Sequence, residues 1–277
     1  ERVVRKDMPV KIVKSDKGLE PYVEAWEELA RGSVESNVFY EPWMFLPALR
    51  LLHEGFEIYI ALVFAQNSGV SNSTPLIGFF PFVQSRGYRG LPVPYLKLWR
   101  YPQCFLCTPL VKAGYERECF DEFFDWVGNL SAQVLMVQIN FARGDGPFYE
   151  ALRGYLKEYR RPIDQVSFER AMLASDLDAD TYIRRALSSK SRREFERQGR
   201  CLSRLGKLET RFLQAGDEIA WWVETLLTLE ASGWKGRAGT ALALKECERR
   251  YFEEIAQAAH ARGQLMMEAL LLLSLIH

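Results

Sequence analysis

Two apolar runs, Glu57 to Ala65 and Pro75 to Gln84, stand either side of a polar, turn-rich stretch from Gln66 to Thr74. Runs of this kind read as strands, and the stretch between them as the loop of a hairpin. A lone hairpin is marginal in water, so the rest of the chain must cover it. Val10 to Val13 is strand-like, and Glu20 to Leu29 places Tyr22, Val23, Trp26 and Leu29 on one face of a helix. Pro42 fits the first turn of a second helix running to about Leu52. Arg86 to Pro94, rich in Gly and Pro, reads as irregular. Glu118 to Leu130 is helical with Phe120, Phe123, Phe124 and Val127 inward, Ala132 to Ile139 is an apolar strand of a covered sheet, and Phe148 to Tyr159 is another helix. The order β-α-α-β-β-α-β-α predicts an α/β fold with mixed sheets.

The chain has 277 residues, enough for two modest domains, and 48% of them are hydrophobic, enough to bury a core. Lys plus Arg (36) equals Asp plus Glu (36), so no overall field points to a polyanionic partner. Five scattered Cys argue against a disulfide framework and for a reducing compartment. Cys104 and Cys107 form a lone C-x-x-C with no second pair and no nearby His, which favours two small buried side chains over a zinc site. The charged start, Glu1 to Asp7, has no apolar signal core, and the longest apolar run, Ala269 to Leu273, is far short of the roughly 20 residues that span a bilayer. The expectation is a cytoplasmic protein with no metal and no membrane span.

A junction around Arg161 to Ala174 divides the chain into an expected first unit, 1–165, and a second, 166–277. Past it the charge changes. Between Arg184 and Arg211 there are ten Lys or Arg against three Glu, a local net of +7. Ser191-x-x-Glu194 has the form of a capping box, which predicts a helix from Ser191 with Gly206 as its stop. Arg193, Arg197, Arg200 and Arg204 then share one face, with Phe195, Leu202 and Leu205 roughly opposite. That face is either solvated or meets phosphates or another anion. Asp217 is placed to cap a helix through Ala231, with Ile219, Trp222, Val223 and Leu226 inward. Ser232 to Gly239 then sets three Gly, two cations and Trp234 in eight residues, a loop able to bring backbone N–H groups and positive charge to a ligand. Its spacing is not that of a Walker loop. Thr240 is placed to cap a further helix, with Leu244, Cys247, Tyr251 and Ile255 inward and Gly263 as its stop, and Gln264 onward is strand-like.

Five ordered landmarks resemble the BioF2-like or CelD-like acetyltransferases, a branch of the GNAT superfamily. They are Asn37-Val38-Phe39-Tyr40-Glu41-Pro42-Trp43, the strand Pro75 to Phe82, Cys107-Thr108-Pro109-Leu110-Val111 (Cys107 standing where the family has Gly), Lys190-Ser191-Arg192-Arg193-Glu194, and Glu230-Ala231-Ser232-Gly233-Trp234-Lys235-Gly236-Arg237. The resemblance implies tandem GNAT-like units, the second incomplete in this chain, and transfer from acetyl-CoA or another acyl-CoA to an amine or hydroxyl. Acceptors in view are a sugar amine, a lipid precursor, an amino acid or a polysaccharide unit. The related Fem-type transferases take their acyl group from aminoacyl-tRNA, a second reading in which the Arg stripe meets RNA. A third is a non-catalytic GNAT-fold binding module. Further family elements, among them a Pro-Gly turn opening a helix, are expected beyond His277. The unbroken run Leu270 to His277 reads as two strands joined without their turn.

Such chemistry needs a group to take the proton and donors for the oxyanion. Glu230 and Glu268 are the candidate bases. Trp234, Lys235 and Arg237 are the first candidates for contact with substrate or acyl donor, followed by Lys190, Arg192, Arg193 and Arg197.

Overall fold

The computed structural model describes residues 9–66, 74–130, 133–159, 166–171 and 173–273. In chain order these form β1 (Val10–Val13), α1 (Asp16–Leu19), α2 (Val23–Arg31), α3 (Pro42–Leu51), β2 (Ile58–Phe64), β3 (Leu76–Tyr88), β4 (Leu91–Leu98), β5 (Leu110–Val111), α4 (Glu116–Asn129), β6 (Met136–Gln138) and α5 (Pro147–Glu158). Then come α6 (Ala179–Ala186), α7 (Ser189–Ser203), β7 (Lys207–Phe212), α8 (Ile219–Ser232), the single turn α9 (Trp234–Arg237), α10 (Glu246–Ala261) and β8 (Glu268–Leu273). The fold is mixed α/β. It groups into two compact units, Glu1–Gln165 with Glu230–Ile255, and Val166–Leu229 with Ala256–His277.

The first unit is built on a mixed six-stranded sheet in the order β1-β2-β3-β4-β6, with β5 also on β3. All its pairs are antiparallel except β4 with β6. Alternate side chains of β3 point to opposite faces. Phe79 stacks on Trp26 of α2 at 4.4 Å and meets Phe45 of α3 edge-on at 5.1 Å. Phe80 and Phe82 stack instead on Phe123 of α4, at 4.3 and 5.6 Å. Helices therefore cover both faces, which is why β3 reads as a continuous apolar run rather than an alternating one. Gly78 lets α4 approach: a Cβ there would stand 2.5 Å from Cys119 Sγ.

The segment expected to be irregular, Arg86 to Pro94, is instead the tip of a second hairpin. β3 runs on to Tyr88, opposite Leu91. Arg89 and Gly90 both have positive φ, 49° and 82°, as a two-residue hairpin turn requires. Pro92 and Pro94 disguise the strand, yet they are harmless there, because β6 joins β4 only from Tyr95 onward. For the same reason β6 is shorter than the predicted Ala132 to Ile139: its register covers Tyr95 to Lys97 alone.

Residues 230–255 belong to this unit through α10. Tyr251 is fully buried, its ring 5.8 Å from that of Tyr101. Glu254 pairs with Arg50 at 2.7 Å, and Glu248 accepts from Gln103 at 3.2 Å. Leu244 and Cys247, expected inward, are exposed. Thr240 caps no helix. Its hydroxyl donates to the Lys235 carbonyl at 3.4 Å, and a 3-10 turn, Leu242–Leu244, precedes α10. Gly263, at φ 65°, follows the end of α10 as expected.

In the second unit, α6 and β7 lie in segments not assigned from the sequence. Asp178 caps α6 by accepting from the Thr181 N–H at 2.9 Å. The cap of α7 is Ser188, which accepts from the Ser191 N–H at 3.1 Å, so the cap lies three residues before the predicted one. The predicted box fails because the Glu194 carboxylate turns outward to Arg197. α7 ends at Ser203, before Gly206. Gly206 serves a different need: a Cβ there would sit 2.3 Å from the Leu273 carbonyl oxygen, where β8 passes β7. β7 and β8 pair antiparallel from Lys207 opposite Leu273 to Phe212 opposite Glu268. Asp217 caps no helix either: it accepts from the Gln214 N–H and stands 3.5 Å from Arg211. Trp222, Val223 and Leu227 of α8 are buried, while Leu226, expected inward, is exposed. The run Leu270 to His277 is described only to Leu273, so its proposed join lies in part outside the described residues. Among the described residues, no helix is long and apolar enough to cross a membrane.

Candidate functional site

The expected loop around Trp234 is a helical turn, α9, pinned by Glu230 at the end of α8. Glu230 Oε1 accepts from Lys235 Nζ at 2.5 Å, and Oε2 accepts from the Leu242 N–H at 2.8 Å. Burial alone would push its carboxyl up. The Lys235 hydrogen bond and the Leu242 N–H outweigh that and hold it below the usual carboxylate range. Gly236 packs so close to the end of α8 that a Cβ would lie 1.7 Å from the Ala231 carbonyl oxygen. The turn is thus tied at three points, and it presents Trp234 (67% exposed) together with an exposed Arg237. Trp234 and Arg237 are thus exposed on one turn, and an indole and a cation together suit a ligand with both an aromatic base and negative charge.

The other sequence candidates lie in the second unit. Lys190 and Arg193 are exposed on α7. Arg192 is half-buried, and its Nε is closed from solvent without a hydrogen-bond partner. Arg197 is committed locally, donating to both oxygens of Glu194 at 2.9 and 2.7 Å. These hydrogen bonds, with one from Gln198, pull the Glu194 carboxyl down to about 2. Arg200 stands 4.0 Å from Glu196. Glu268, at the start of β8, is exposed. The structure therefore brings Glu230 and Lys235 into contact beside Trp234 and Arg237, and sets Lys190, Arg192, Arg193 and Arg197 along one helix.

Two of the landmarks hold each other in the fold. Asn37 Nδ2 donates to the Leu106 and Thr108 carbonyls at 3.1 and 2.8 Å. Thr108 donates to the buried Glu35 at 3.2 Å, and Glu35 in turn accepts from the Phe148 N–H at the start of α5. Cys104 and Cys107 are buried with their sulfurs 3.8 Å apart. The Cys107 contact and then burial push the Cys104 thiol far up, which leaves it a poor nucleophile.

A further group was not found from the sequence. It lies where β4 and β6 end side by side, the carboxyl end of the sheet's parallel pair, a place where open α/β sheets commonly take ligands. Asn140 has both side-chain amide atoms buried with no partner, at about 1–3 kcal/mol for each group left unsatisfied. Phe141, next to it, has φ 54°, a conformation that costs a bulky residue about 1–3 kcal/mol. The connection from β4 crosses above: Cys107 N–H donates to the Phe141 carbonyl at 3.0 Å, and the Arg100 guanidinium lies 4.0 Å over the Phe141 ring. On that connection Gln103 Oε1 is also buried and unpartnered. An Asn after an apolar strand is too common to have been a signal, and a left-handed Phe leaves no mark in a sequence.

Among the described residues, no group of three or more His, Cys, Asp or Glu is placed to hold a metal ion. Comparison of the chain with family models, curated proteins and solved structures found no match.

Proposed function

We propose that this protein is an acyl-CoA-dependent N- or O-acyltransferase of GNAT type, built from tandem GNAT-like units, with acetyl-CoA or another acyl-CoA as co-substrate. The observation that carries the reading is the pinned α9 turn, with its exposed Trp234 and Arg237. Coenzyme A joins an adenine, which stacks on an indole, to phosphates, which pair with cations. The resemblance of the W-K-G-R segment to acetyltransferases points the same way. In the transfer, the acceptor nitrogen or oxygen attacks the thioester carbonyl and gives up a proton, the thiolate of CoA leaves, and backbone N–H groups hold the transient oxyanion. Glu230 has both oxygens engaged and a lowered pKa, so its part is to hold the turn.

Calorimetric titration of CoA into the chain tests this. Trp234→Ala is expected to weaken binding about tenfold or more, the loss of roughly 1–3 kcal/mol of base stacking, with little change in stability because the ring is largely exposed. No binding by the wild type, or equal binding by the variant, rejects the reading. The exposed cations of α7 favour a second one, transfer from aminoacyl-tRNA. RNA affinity that falls steeply with salt would support it, and a shallow dependence would count against it.

A further inference from the structure

We infer that the carboxyl end of the β4/β6 pair is a binding site for a hydroxyl-rich ligand, a sugar ring, read by Asn140 and Gln103 beneath the Arg100–Phe105 connection. Taken with the acyl-transfer reading on which it rests, this makes a sugar the acceptor. Two consecutive residues, Asn140 and Phe141, hold costly states at one place, one by an orphaned amide and the other by its backbone. These are independent observations, and neither helps the fold: an apolar side chain at 140 would leave no orphaned amide, and a left-handed φ strains a phenylalanine. Binding is what repays them.

The chemistry of the orphaned atoms selects the ligand class. Asn140 Nδ2 needs acceptors, while Asn140 Oδ1 and Gln103 Oε1 need donors. A phosphate or carboxylate only accepts, so it would satisfy the first and leave both oxygens unpaired. A hydrocarbon would leave all three. Neighbouring sugar hydroxyls each donate and accept, and they answer the whole set. The exposed ring of Phe105, on the same connection, offers a face for the C–H side of a sugar. The amides are closed from solvent, and Arg100 lies over the Phe141 ring with its Nε donating to the Cys104 carbonyl at 3.1 Å.

Saturation-transfer NMR on the full chain, with glucose, glucosamine and glucuronate as probes and no CoA present, tests the site. The wild type is expected to show transfer from glucose or glucosamine. Asn140→Leu is expected to weaken that binding about tenfold or more, the loss of roughly one to two hydrogen bonds, while its melting temperature stays level or rises. Phe105→Ala is expected to weaken binding. No transfer from any of the three sugars overturns the proposal. So does unchanged binding by Asn140→Leu, or a fall in its melting temperature, which would show that the amide serves the fold. Sugar binding that persists in a chain failing to bind CoA would reject the acyl-donor reading and leave this site standing.

Discussion

Glu230 shows how one side chain turns a short motif into a fixed surface. Its two oxygens hold Lys235 on one side and the Leu242 N–H on the other, so the turn between them cannot drift. Because its folded pKa is lowered, its contribution is present above the ordinary carboxylate pKa and is lost as pH falls through the folded value. Glu230→Gln should therefore cost stability at pH 7, by about 1 kcal/mol given that Lys235 is partly exposed, and cost progressively less as the medium is acidified below about pH 4. Urea unfolding at a series of pH values measures this. A gap between the two proteins that stays constant with pH would mean that the charge is not what holds the turn. The Glu230 and Lys235 pair was visible in the sequence as part of one motif, but their contact was not: five residues apart is not a helical spacing, and it closes only because the chain bends at Gly233.

At the scale of elements, local signals named most helices correctly and misplaced their ends. Pro42 begins α3, and Trp26 and Leu29 are buried on α2, as the apolar spacing required. The start of α7 was misjudged because two serines compete. Ser191 has a Glu three residues on, but Ser188 has the extended backbone of a cap and takes the Ser191 N–H. Ser188→Ala should accordingly cost about 1 kcal/mol, and Ser191→Ala, inside the helix, distinctly less. Thermal unfolding followed by far-UV circular dichroism separates them, and equal losses would refute the assignment of the cap. β4 was missed for a different reason. Proline argues against a strand only where a neighbour needs its N–H, and which side of a strand is paired is a property of the sheet.

For the molecule as a whole, the grouping of residues 230–255 with the first unit depends on Tyr251. It is fully buried, about 150 residues in sequence from the Tyr101 it touches. Tyr251→Ala should cost about 3–5 kcal/mol, as for other large aromatic truncations in a core. Tyr251→Phe should cost little, since the hydroxyl lies a long 3.5 Å from that of Tyr101. Chemical denaturation of the two variants checks the pair of predictions, and a mild effect of the alanine would mean that this helix does not depend on the core.

Taken alone, the amino-acid sequence determined what depends on near neighbours: the periodicity of the helices, the β2/β3 hairpin, the basic face of α7 and the W-K-G-R motif. Tertiary structure decided what depends on distant ones. It joined α10 to the first unit, spent the Asn37 amide on the Thr108 carbonyl and the Thr108 hydroxyl on Glu35, and left the Asn140 amide without a partner at the end of β6. Periodicity records which way a side chain points along its own element. Whether it then meets a carbonyl, a carboxylate or nothing is set by chain as far as a hundred residues away, and no local pattern carries that.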